Sequence, residues 1–191
     1  MARYQPGIRT EARIIAATGE LLAEAGLDGT TLKAICDRAG IKAGSFYNLF
    51  SSKDEAVLRV VREAINAVDP HPEGSGPDTI AELVEAYARF ITEQPVVARI
   101  YLQIAVRGGL TDNAMAARFL RHHEQRVRRF AAALAGDGAP DRSELIRAEV
   151  LVGTLNGLAF RWVLRPDFDF RTHLTAVPID GRLAAGDVPA R

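Results

Sequence analysis

Apolar residues recur along this chain at intervals of three and four over most of its length, the period of helices buried on one face, and no alternating strand pattern of useful length interrupts them. Ile14, Ile15, Leu21 and Leu22 turn inward on an opening helix that the pattern starts at about Thr10, a side chain suited to capping, and ends at Ala25 before Gly26. Leu32, Ile35, Cys36 and Ala39 predict a second, shorter helix, with Thr31 as its N-cap and Gly40 as the residue that tolerates a left-handed stop. Ala43 to Leu49 predicts a third. Ser52 caps a fourth, with Asp54 and Glu55 in its first turn, and Ala56, Val60, Ala64 and Ala67 carry it to about Val68.

The Pro- and Gly-rich run DPHPEGSGPD, residues 69–78, must be a loop. Beyond it, Ile80, Leu83, Val84, Tyr87, Phe90 and Ile91 form one apolar stripe. Pro95 opens the next, which bears Val96, Ile100, Tyr101 and Ile104 and ends at a turn, RGGLTDN. A long helix follows from Ala114 to Ala135, with Met115, Phe119, Val127, Phe130 and Leu134 along one side. The last strong helix, Ser143 to Leu164, is apolar nearly all round from Val150 onward, which predicts burial against more than one neighbour. Pro178, Gly181 and Gly186 break up the tail. The fold class is all-α: a three-helix N-terminal domain over residues 1–51 and a helical domain over residues 52–191.

Two short helices meeting at Gly40 form a helix-turn-helix, in which the second helix enters the major groove of DNA and its N-terminal residues meet base edges. The small residues Ala43, Gly44 and Ser45 let that end approach a surface closely. Around this motif the chain resembles the TetR family of bacterial transcriptional regulators over roughly residues 10–60. A helix ending in AEAGLDGTTL, the pair AG before an aliphatic residue, a small residue, an apolar-Tyr pair, Phe50 and the string SKDE carry the resemblance, with Gly44, Tyr47, Phe50 and Lys53 in register. Lys42 and Ala43 stand where many relatives have a small polar residue followed by Lys.

The resemblance implies that Thr31, Tyr47 and Lys53 contact phosphate, which a capping hydroxyl, a phenol and an ammonium suit. Lys33, Lys42 and Ser45 are candidates for base edges, with Ala43 and Gly44 offering apolar contact or clearance, and Asn48 either pairs with adenine, touches phosphate or is simply solvated. It also implies a body that binds a small effector among the fifth to eighth helices, and a ninth helix that pairs with the eighth in the interface of a homodimer. The breakers in the tail predict that any ninth helix here is short. Tyr87, Phe90, Tyr101, Ile104, Phe119, His123, Phe160 and Trp162 are the side chains such a cavity would use, with ordinary core as the other reading of each.

Composition adds limits. In 191 residues, 24 basic side chains balance 24 acidic ones, so affinity for DNA must come from local charge: Lys33, Arg38, Lys42 and Lys53 face only Asp37 over residues 31–53. A single cysteine excludes an intrachain disulfide or a Cys-rich zinc site. No apolar run reaches the ~20 residues that cross a bilayer, and a cytoplasmic location follows as the expectation. The arginines of the long helix read as a solvated face, or else as a site for an anionic effector. No phosphate loop, metal cluster or nucleophile setting supports catalysis, and no cofactor is expected. The reading is a homodimeric repressor released from a palindromic operator on double-stranded DNA by a small molecule. Its rivals are a helical carrier or enzyme with a vestigial head, and a DNA-binding regulator that needs no effector.

Overall fold

The computed structural model describes residues 5–71, 77–111, 113–165 and 167–178, and these residues form helices and connecting turns without a strand. They are α1 (Gln5–Gly29), α2 (Leu32–Ala39), α3 (Ala43–Tyr47), α4 (Lys53–Asn66), α5 (Ile80–Glu93), α6 (Pro95–Thr111), α7 (Asn113–Ala135), α8 (Arg142–Leu164) and α9 (Phe170–Leu174). They fall into two compact units. The first holds α1 to α4 with residues 94–103; the second holds residues 68–93 and everything from Ile104 onward.

In the first unit α1 packs against α2 and α4, and α2 against α3. Ile14, Ala17 and Leu21 from α1 meet Ile35, Cys36 and Ala39 from α2, Phe46 from α3, and Phe50 and Ala56 around the start of α4. The compact unit runs to Ala67 rather than stopping at residue 51, because α4 lies along α1. Local chemistry sets the breaks. Gly26 leaves the helical region at φ 66° and Gly40 ends α2 at φ 61°, while Thr31 Oγ1 accepts from Ala34 N and Ser52 Oγ from Glu55 N.

Two expected boundaries are corrected. Thr10 is not a cap, since α1 already runs from Gln5, with Pro6 in the first turn where its missing N–H costs nothing. The RGGLTDN segment is not a turn throughout, because α6 continues through Gly108 and Gly109 to Thr111.

In the second unit α7 packs against α8 and α5, and the short α9 against α5 and α8, with the Phe170 ring 6.2 Å from that of Tyr87. Asp141 and Glu144 form a reciprocal capping box at the start of α8. Gly181 and Gly186 lie outside the described residues. Along α8, Ala148, Leu151, Val152, Leu155, Ala159 and Trp162 are buried, but Ile146, Val150, Phe160 and Leu164 are exposed. The expectation of burial all round is therefore corrected: one apolar face of α8 is left exposed by the described residues.

Candidate nucleic-acid interface

The third helix is five residues long and hangs on one side chain. Phe46 is fully buried, tilted against Phe50 at 5.6 Å, while Lys42, Ala43, Gly44, Ser45, Tyr47 and Asn48 are all exposed. Burial of that one ring contributes roughly 1.5–3 kcal/mol and fixes the pose of the helix. A Cβ added at Gly44 would meet no atom within 4 Å, so the surface beside it is open. The backbone N–H groups of Ser45 and Phe46 bond back to Lys42 O, which closes the first turn and leaves Lys42 at the N-terminal corner with its ammonium in water.

The other candidates have local partners. Thr31 is exposed and caps α2, as the residue pattern predicts. Lys33 pairs with Asp37 at 2.7 Å, and both are well exposed, so the pair is weak and readily exchanged. Lys53 is half-buried, and its Nζ donates to Leu27 O at 3.2 Å and Thr30 O at 2.9 Å, binding the end of α1 to the start of α4. Its first role here is to satisfy helix-end carbonyls, a contact that no sequence pattern discloses.

The local charge also differs from the count along the sequence. Arg38 is held by Glu20 at 3.0 Å and Glu24 at 2.7 Å on α1, and its hydrogen bond lowers the Glu24 carboxyl below the usual carboxylate range. It brings no net positive charge to the surface. Arg13 donates to Ala39 O and Gly40 O at the end of α2 and so ties α1 to the turn. Cys36 is buried, and burial pushes its thiol up, so it serves packing.

The head has the form of a helix-turn-helix: an exposed short helix led by small residues, following a capped helix. Residues 14–60 match the bacterial regulatory proteins of the tetR family. The head is similar to the DNA-binding heads of that family. It is 50% identical over 56 residues to the HTH-type transcriptional repressor KstR2 of Rhodococcus jostii strain RHA1, a match that covers 29% of this chain and 26% of that repressor. The chain thus spans about a quarter of the length of that curated relative. A crystal structure of a transcriptional regulator from Rhodococcus sp. Rha1 superposes with a TM-score of 0.64 at 25% identity, covering 89% of this chain and 91% of that one. The multidrug binding protein EbrR, in complex with imidazole, gives 0.64 at 20% identity over 92% and 97%, a likeness of fold. TetR is a family of regulators rather than enzymes.

Of the side chains expected to hold an effector, Tyr87, Phe90, Ile104 and Trp162 are buried in the second unit, and Phe119 is half-buried there. Tyr101 is buried but belongs to the first unit. His123 is turned to α8, where its Nε2–H donates to Glu149 Oε1 at 3.1 Å. Phe160 is 52% exposed on the outer face of α8 and does not line the interior, since the core face of that helix is taken by Leu155, Ala159 and Trp162. Arg126 and Arg129, two arginines of the basic face of α7, hold polar contacts in this unit, and their partners Asn156, Asp69 and Asp78 are not legible in the sequence pattern.

Among the described residues no helix is long and apolar enough to cross a membrane.

Proposed function

We propose that the protein is a ligand-responsive transcriptional repressor of the TetR type that binds a palindromic operator as a homodimer in the cytoplasm. The observation that carries this is α3: every side chain on it but Phe46 is offered to a partner, and its first residues are small enough to let a base pair approach. Lys42, Ser45 and Asn48 then meet base edges, Thr31 and Tyr47 meet phosphate, and Ala43 and Gly44 give clearance. Lys53 reaches phosphate only by sharing its ammonium with the α1 carbonyls.

The dimer reading rests on α8. Ile146, Val150, Gly153, Gly157, Phe160 and Leu164 recur at alternating steps of four and three, the spacing of a helix-pairing seam, and the four large members are exposed. A Cβ at Gly153 or Gly157 would meet nothing within 4 Å in the chain, yet each glycine costs a helix interior roughly 0.5–1 kcal/mol. Close approach by a second α8 accounts for that expense. Two-fold symmetry then sets half-sites about 34–36 Å apart, or a multiple. An effector in the body that favours another head spacing by ~1.4 kcal/mol weakens operator binding tenfold. The binding of small molecules by EbrR supports such a role for the body.

The test is selection of bound sequences from random duplex DNA, followed by titration of the winner. An enriched palindrome bound at nanomolar concentration is the expected result; weak, salt-sensitive binding without enrichment would overturn the reading. Phe160→Asp should convert the dimer to monomer in sedimentation velocity and lower operator affinity, and a variant that stays dimeric would move the interface off α8.

A further inference from the structure

Two arginines three residues apart on α7 are treated very differently. Arg129 is bound by two carboxylates: Asp69 at 2.6 and 3.0 Å and Asp78 at 2.7 and 2.8 Å. Arg126 has only neutral partners. Its Nη2 donates to Asn156 Oδ1 at 2.8 Å, its guanidinium lies 5.3 Å above the Tyr87 ring, and its Nε is buried without a hydrogen-bond partner. Asn156 Oδ1 also accepts from Tyr87 Oη at 3.1 Å, so α5, α7 and α8 converge on this one cation. Among the described residues no carboxylate pairs with it, and the acid next along α8, Glu149, is engaged with His123.

We propose that Arg126 is the anchor of a binding site for an apolar carboxylic acid in the helical body, a reading that rests on the ligand-responsive function above. A guanidinium nitrogen cut off from water needs an acceptor or an opposite charge, and the Nε of this half-buried arginine has neither. The chain supplies a permanent counter-charge where it needs one, as Arg129 demonstrates; at Arg126 it places an amide where an aspartate of nearly the same shape would have closed the pair. The vacant Nε–H beside an η N–H is the parallel fork that a planar carboxylate takes, and one arginine offsets one negative charge but not the two of a phosphate. Buried apolar side chains one turn away, Val84 and Ile91 on α5, Phe130 on α7 and Val152 on α8, suit an apolar body attached to that carboxylate. Nε is sealed from solvent in the present conformation, so the acid enters as the helices part, which gives the ligand a conformational consequence.

The experiment uses the full-length protein and its Arg126→Met and Asn156→Asp variants, with a panel of acids from butyrate to dodecanoate and phenylacetate, and the matching primary amides. Binding is read as a dose-dependent rise in Tm and as a change in fluorescence of Trp162. Acids should bind and their amides should not; Arg126→Met should weaken binding at least tenfold. Asn156→Asp, which supplies an internal carboxylate, should melt higher than wild type without ligand and fail to respond to it. Equal action by the amides, an unchanged response in Arg126→Met, no binding by any acid, or an Asn156→Asp protein that melts no higher and responds as before would overturn the proposal. Operator titration separates the two readings: acids that bind through Arg126 without changing operator affinity leave the site standing and remove the ligand-responsive function.

Discussion

Removing Arg129 should loosen the second unit. Its guanidinium makes four charge-assisted hydrogen bonds, to Asp69 just after α4 and to Asp78 just before α5. The two carboxylate side chains are 11% and 12% exposed, and the arginine 32%. Breaking a buried pair by deleting one member costs ~3–5 kcal/mol, because the abandoned charge keeps its desolvation penalty. Water reaches about a third of this arginine, so for Arg129→Met we expect about 2–4 kcal/mol, a fall in Tm of roughly 5–15 °C for a chain of this size. The sole tryptophan, Trp162, is buried in the same unit, so urea unfolding followed by its fluorescence reports on this unit.

The pH dependence gives a second readout. The hydrogen bond from Arg129 holds the Asp69 carboxyl below the usual carboxylate range, with burial acting in the opposite direction. A depressed carboxyl contributes stability that is present above its unfolded value near ~3.9 and is lost as pH falls through the lower folded value. The gap between wild type and Arg129→Met should therefore narrow below about pH 4. The triple variant Arg129→Met, Asp69→Asn, Asp78→Asn removes all three charges and should recover much of the loss. A single variant that costs less than ~1 kcal/mol, or a triple variant as unstable as the single one, would refute this account.

Two further outcomes concern the head. Gly44→Val adds a side chain into open space on α3, so circular dichroism and Tm should be unchanged or slightly improved, while operator affinity falls at least a hundredfold; unchanged affinity would remove this face from the interface. Cys36 is 6% exposed and its thiol is raised by burial, so alkylation by iodoacetamide at about pH 8 should be slow in the native protein and fast in urea, and rapid native labelling would contradict the packing of α2.

What the sequence could disclose was what depends on near neighbours. Thr31 and Ser52 cap helices three residues ahead of them, and Gly26 and Gly40 break helices by their own backbone freedom, so each is visible in a short window. Contacts that cross long stretches were not. Arg38 reads as free positive charge because Glu20 and Glu24 lie 18 and 14 positions earlier, and the carbonyls that Lys53 also holds are 23 and 26 positions away. Periodicity showed that α8 is apolar around most of its surface but could not say which faces the chain itself covers. Phe160 was therefore placed with the interior when it lies outside it.

The attachment of α3 through Phe46 alone has an evolutionary consequence. Because none of the residues proposed to read DNA on that helix is part of the core, each can be exchanged at almost no cost to folding. Operator preference can drift, or diverge after duplication, without a compensating change elsewhere in the head. A set of paralogues sharing this scaffold could thus come to serve unrelated promoters through a handful of substitutions, all of them between Lys42 and Asn48.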